Sequence, residues 1–140
     1  MKEEDKFKVL IAEIDTRLLM NLEMVAREED IQVVTCRDGL DALNLARKEM
    51  PDLLIIDVNV PGLKAFHVCN LLKADDRYRD IKIMMLTNML SRDYEEKADR
   101  TGVFELIVKP FSNEEFLPHL QMAVGRCRWR GQKMIFLQTK

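Results

Sequence analysis

With 140 residues, 22 basic and 24 acidic side chains and a net charge of −2, the chain has the length of one domain and no global field drawing it to nucleic acid. Hydrophobic and charged contents of 47% and 33% are ordinary for a soluble globular protein, and this length buries about two thirds of the unfolded surface. The charged start MKEEDKFK lacks the apolar core of a signal peptide, no segment approaches transmembrane length, and Cys36, Cys69 and Cys127 show neither CxxC spacing nor an even count. A cytoplasmic protein is expected, without membrane contact, zinc site or disulfide framework, whose cysteines act as small core hydrophobes.

In chain order the pattern alternates strands and helices. Phe7 to Ala12 reads as a first strand, followed by the acidic Glu13-Ile14-Asp15. A helix is predicted from about Thr16 to Glu29, with Leu18, Leu22, Val25 and Ala26 on one face. Ile31 to Cys36 is the second strand. Asp38 and Gly39 open a second helix with the stripe Leu40, Leu43, Ala46 and Met50, which Pro51 stops. Leu53, Leu54, Ile55 and Ile56 then run without alternation into Asp57, as suits a strand buried on both faces of a parallel sheet.

A third helix is expected over roughly Lys64 to Ala74, with Phe66, Cys69 or Asn70, and Lys73 on successive turns, and a fourth strand over Ile81 to Leu86. The fourth helix, near Ser91 to Arg100, offers little apolar surface beyond Tyr94 and Ala98, which makes it a candidate for movement. Gly102 supplies a left-handed stop, and Phe104 to Val108 is the fifth strand. Ser112 and Glu115 form a capping-box pattern for a last helix carrying Phe116, Leu120, Ala123, Val124 and Cys127. Pro118 inside it predicts a kink or a late start. Five such units predict an α/β, flavodoxin-like doubly wound sheet of five parallel strands in the order 2-1-3-4-5, with helices on both faces.

The strand ends carry the chemistry. Strand one ends in Glu13-Ile14-Asp15, strand three in Asp57, strand four in Thr87 and strand five in Lys109. Singly, each is an ordinary cap, turn or surface residue. In a parallel sheet all four ends share one edge, where ligands bind in open α/β folds. Carboxylates, a hydroxyl and an amine together suit a phosphoryl group: one carboxylate as nucleophile, the lysine, hydroxyl and a divalent cation to stabilise the phosphoryl charge.

The segments KVLIAEID, DGLDAL, PDLLIIDVNVPG, IMMLT and VKPFSNEEF, covering about Phe7 to Arg126, resemble the receiver domain of bacterial two-component response regulators. That resemblance implies that Asp57 accepts a phosphoryl group from a histidine kinase or phosphotransfer protein, that Thr87 hydrogen-bonds to it and that Lys109 pairs with it. It also implies a cis Lys109-Pro110 bond and a magnesium ion held by Glu13, Asp57 and Asn59. The site is expected to be weak or absent, because Ile14 stands where the family has its direct magnesium carboxylate. Leu106 replaces the family's switch Tyr or Phe; Phe104 lies two residues away. Lys64-Ala65 replaces the usual Asp-Gly, and Asn88 follows Thr87 where a small residue is common.

Three functions are therefore weighed: a phosphoaccepting receiver with altered magnesium handling, a receiver-like module that signals by binding alone, and an enzyme. The enzyme class fares worst. A haloacid-dehalogenase-type phosphatase wants a second aspartate where Asn59 stands, and the acids after strand one would repel a flavin phosphate. Expected partners are the kinase, an output protein or domain, and a second copy through the face of helix 4, strand 5 and helix 5. The domain is expected to span residues 1–126. Residues 127–140 form a basic and apolar tail with Trp129 among Arg126, Arg128, Arg130 and Lys133, in which MIFLQ reads as a short added strand, a partner-binding segment or a linker start; its basic residues are assigned to the dipole of the last helix rather than to nucleic acid.

Overall fold

In the computed structural model, which describes residues 6–130 and 133–136 and the side chains of 6–126, five strands form one parallel sheet. They are β1 (Lys8–Ala12), β2 (Gln32–Cys36), β3 (Leu53–Asp57), β4 (Lys82–Thr87) and β5 (Glu105–Val108), in the spatial order β2-β1-β3-β4-β5. The crossovers are α1 (Thr16–Glu28), α2 (Gly39–Glu49), α3 (Ala65–Lys73) and α4 (Arg92–Thr101), and α5 (Asn113–Ala123) follows β5. This is the predicted flavodoxin-like architecture.

β3 is the central strand, and every residue of it is buried. Its side chains alternate between two cores, as the pleat requires. Leu54 and Ile56 join the side covered by α2 and α3, whereas Leu53 and Ile55 join the side covered by α1 and α5. Burying each of these four stabilises the fold by about 1.5–3 kcal/mol. Two cores sharing one strand fix the register, since a slip by one residue would exchange them.

The helix starts follow from short polar side chains. Asp15, Asp38 and Ser91 each accept a first-turn N–H, and Ser112 with Glu115 forms the reciprocal capping box. α5 starts at Asn113 and runs through Pro118, so the late start does not occur. α1 buries Leu19 beside Leu22, Val25 and Ala26, with Leu18 only partly covered. In α2 the buried stripe is Gly39, Ala42, Leu43 and Ala46; Leu40 and Met50 are exposed, contrary to expectation. Gly39 is the cause. A Cβ there would lie 1.7 Å from the Leu63 carbonyl oxygen, and the Gly39 N–H donates to the Pro61 carbonyl at 2.9 Å. That contact turns the start of α2 against the loop before α3, and Ala42 faces inward. α3 buries Cys69 and Leu72 as expected, together with Ala65 and Val68, whereas Phe66 and Lys73 lie one residue off this face.

The largest departure comes after α5. The helix ends at Ala123, Gly125 adopts a left-handed φ of 78°, and β6 (Cys127–Arg130) pairs antiparallel with β7 (Lys133–Phe136). Cys127 is thus a strand residue, and the last turn of α5 contains no basic side chain, so the basic tail does not serve that helix's dipole. Arg126 instead donates to the Glu29 carbonyl at 2.7 Å, tying the chain to the end of α1. The contacts of the tail side chains from Cys127 onward lie outside the described residues.

Candidate functional site

The carboxyl edge of the sheet gathers the residues that end its strands. Glu13 leaves β1 with its N–H bonded to the Cys36 carbonyl at 3.1 Å, and Lys109 leaves β5 with its N–H bonded to the Thr87 carbonyl at 2.7 Å. Asp57 and Thr87 are the last residues of β3 and β4. Glu13, Asp57 and Thr87 are 1%, 3% and 1% exposed, and among the described residues they are the buried polar ones in an otherwise apolar core. Such burial is costly unless the groups are paired.

Lys109 provides the pairing. Its Nζ lies 2.8 Å from Glu13 Oε1 and also contacts Asp57 Oδ2. The other Asp57 oxygen accepts the Asn59 N–H at 2.6 Å, and Glu13 Oε2 accepts the Asp15 N–H at 3.1 Å. Burial works against the Lys109 ammonium, but its bonds to Asp57 and Glu13 prevail and its pKa is raised. Burial also raises the pKa of Glu13, and the bonds from Lys109 and Asp15 offset this only partly. The edge therefore holds a firmly protonated amine between two carboxylates, one of which is reluctant to ionise. The Lys109-Pro110 bond is cis.

Thr87 is not yet turned toward the carboxylates. Its hydroxyl donates to the Met89 carbonyl at 2.9 Å and accepts the Met89 N–H at 3.2 Å. Asn59 contributes its backbone to Asp57 while its side chain is exposed. Ile14 is 50% exposed at the mouth of the crevice, and the Asp15 carboxylate is occupied as the cap of α1. Sequence reasoning missed Arg37, whose Nη2 donates to the Ile14 carbonyl at 2.6 Å and to Thr16 Oγ1 at 2.7 Å. Its only sequence signal is its place just after strand two. Phe104 is no substitute for the switch aromatic. The register Thr87↔Val108 leaves it at the far end of the sheet, where Lys82 Nζ lies 5.0 Å from its ring centroid.

A magnesium ion needs near-octahedral oxygen ligation, usually with one or two carboxylates. Here both crevice carboxylates face the same ammonium, Asp15 is engaged, and position 14 is aliphatic. Among the described residues no group of three His, Cys, Asp or Glu side chains could hold a metal ion. The donor set does not fit a tight magnesium centre.

The response regulator receiver domain model matches residues 9–121, which contain the whole crevice. Over 122 residues the chain is 34% identical to the transcriptional regulatory protein PdtaR of Mycobacterium tuberculosis, a match that covers 86% of this chain and 58% of PdtaR. It thus spans little more than half of that relative. It is 31% identical to the polar-differentiation response regulator DivK of Brucella anthropi, covering 81% of this chain and 89% of DivK. The chemotaxis response regulator CheY4 of Vibrio cholerae superposes with a TM-score of 0.78 at 28% identity, over 84% of this chain and 98% of the other. With the family model matching residues 9–121 and the strand order in agreement with these neighbours, the chain belongs to the receiver domain family of response regulators.

Proposed function

We propose that the chain is a phosphoaccepting receiver in which Asp57 takes a phosphoryl group from the phosphohistidine of a histidine kinase or phosphotransfer protein, with weak or absent magnesium dependence. The observation that carries this reading is the buried Asp57 carboxylate, oriented by the Asn59 N–H and paired with Lys109. An Asp57 oxygen forms the P–O bond as the donor's P–N bond breaks and the imidazole leaves. Lys109 then pairs with a phosphoryl oxygen, a role that a preorganised ammonium fills without reorganisation. For Thr87 to donate to the phosphoryl group it must release the Met89 carbonyl. That release frees the loop bearing Met89 and Leu90, which are 66% and 53% exposed.

α4, β5 and α5 form the face offered to an output protein or domain, and to a second copy of the chain. The receiver unit ends near Arg126, and the β6–β7 hairpin is an appendage of the last fourteen residues. We place the chain in the cytoplasm; no helix among the described residues is long and apolar enough to cross a membrane. A second reading, signalling by binding alone, draws on Ile14 and on the missing switch aromatic. One experiment decides: incubation with acetyl phosphate, with and without magnesium, followed by intact mass. The expected result is one added phosphoryl group in the wild type and none in Asp57→Asn. No adduct under either condition, or an adduct that survives the substitution, would overturn the phosphoacceptor reading.

A further inference from the structure

A second concave site lies beside the crevice, between α3 and α4. It encloses about 680 Å³, within the range of small-molecule pockets. Its wall nearest the sheet is Val58-Asn59-Val60, the segment that directly follows Asp57. The remaining walls carry an unusual charge for a chain of net charge −2: Lys64 from the α3 side, Lys97 and Arg100 from α4, and no carboxylate, with the His67 ring beside them.

Tyr94, Lys97, Arg100 and Thr101 recur on one face of α4 and line the cavity, while Glu95 and Asp99 fall on the opposite side and Asp93 lies one turn before Lys97. Among the described residues Lys64, His67 and Arg100 make no ion pair or side-chain hydrogen bond. Among the described residues the ion-pair partner at the cluster is Asp93, 3.3 Å from Lys97, and both side chains are substantially exposed. An exposed pair of this kind is worth little and yields readily to a better anion. Like charges gathered around a cavity without an internal partner favour an anionic occupant.

Aromatic surface completes the site. Phe66 and Tyr94 reach across from the two helices with ring centroids 6.0 Å apart, and Lys97 Nζ lies 5.8 Å from the Phe66 centroid. Asn70, exposed on the wall, adds an amide that can both donate and accept. A ring face for stacking, an amide for a heterocycle edge and several cations for phosphate are the separate requirements of one ligand class.

We propose that the cavity between α3 and α4 is a nucleotide-binding site, with the base against Phe66 and Tyr94 and the phosphates on Lys64, Lys97 and Arg100. An acidic peptide would use the cations but has no need of an enclosed volume with an aromatic wall. The site is independent of phosphoacceptance at Asp57. It shares one wall with the segment after that residue, and it grips α4, the helix with the least buried surface. Occupancy would therefore fasten α4 to α3.

The test is calorimetric titration of the full chain with ATP, GTP, CTP and UTP, with inorganic triphosphate, adenosine and poly-glutamate as comparison probes. At least one nucleotide should bind with a Kd on the order of 10–100 μM and more tightly than any comparison probe. Arg100→Glu and Lys64→Glu, both at exposed positions, should each weaken it about tenfold. Lys48→Glu, the same charge change on the exposed end of α2, should leave it within about twofold. Amide exchange in α4 should slow when the nucleotide is present. The proposal is overturned if no nucleotide binds at about 5 mM, if triphosphate or poly-glutamate binds as tightly, or if Lys48→Glu weakens binding as much as Arg100→Glu.

Discussion

Position 14 puts an aliphatic side chain, half exposed, between the crevice acid Glu13 and the helix cap Asp15. A carboxylate there would add a second sure oxygen ligand next to Asp57, and most of its gross attraction for a dication would be offset by desolvation. Ile14→Asp is therefore expected to tighten magnesium binding about tenfold or more, from a wild-type Kd in the millimolar range. Titration calorimetry of the two proteins measures it; equal affinities would mean that another oxygen already serves.

Glu105 gives a second prediction at this scale. Its Oε2 lies 2.5 Å from His119 Nδ1, while Oε1 is buried with no hydrogen-bond partner. Burial raises its pKa above the ordinary 4.5, and His119 offsets this only in part. For an acid whose pKa rises on folding, the stabilising contribution is present below the unfolded pKa and is lost as pH rises through the folded one. At neutral pH the ionised Glu105 thus works against the fold. Glu105→Gln should raise the urea midpoint near about pH 7.5 and change it little near about pH 4. A lower midpoint near neutrality would show that the His119 pair outweighs burial.

That Glu13, Asp57, Thr87 and Lys109 meet at one edge was legible in the sequence, because parallel strands bring their carboxyl ends together. Arg37 was not. Its partners, Ile14 and Thr16, are more than twenty positions away, and no spacing rule links an arginine to a distant backbone carbonyl.

Among the elements, α4 combines a good start with poor packing. Ser91 caps it, Asp93 and Glu95 sit in its first turn, and Gly102 closes it at φ 74°, yet Ala98 is its one buried residue. α1 buries four. Local capping contributes about 1 kcal/mol, whereas a buried aliphatic face contributes several. Native-state hydrogen exchange should accordingly show α4 opening before α1. Equal or slower exchange in α4 would remove the argument that it moves when Thr87 lets go of Met89.

Element types and order were readable from periodicity, but helix rotation was less so. Leu40 and Met50 obey the spacing of an inward stripe in α2, yet Ala42 takes the inward place at the helix start, where Gly39 lies against Leu63, and Met50 falls beyond the helix as its left-handed cap. The tail misled for a related reason. Phe116 to Cys127 keeps a helical period past Ala123, and the left-handed Gly125 ends the helix before the pattern does. A hairpin of two four-residue strands is too short to announce itself by alternation.

For the molecule as a whole, the sheet separates two kinds of work. Asp57, Thr87, Glu13 and Lys109 occupy one edge, with the cavity between α3 and α4 beside it. The opposite edge is held by plain scaffolding: the Lys8 N–H on Asp52, Lys8 Nζ with Glu49, and Lys82 Nζ on the Ala123 carbonyl. Lys73 Nζ, bonded to the carbonyls of Arg79 and Ile81, closes the Asp75–Asp80 loop at that same end. The two ends are joined by strands four to six residues long and by the helices that return between them, with β3 at the centre buried throughout.

That division has a consequence for how such a chain can change over generations. Mutations in the scaffolding loops draw on thermodynamic stability, and those in the crevice loops draw on signalling chemistry, so each can drift while the other is held under selection. A substitution at Ile14, half exposed and outside both cores, would be a change of the second kind. It would leave the strand register, the caps and both cores intact, so the crevice can be retuned without first solving the folding problem again.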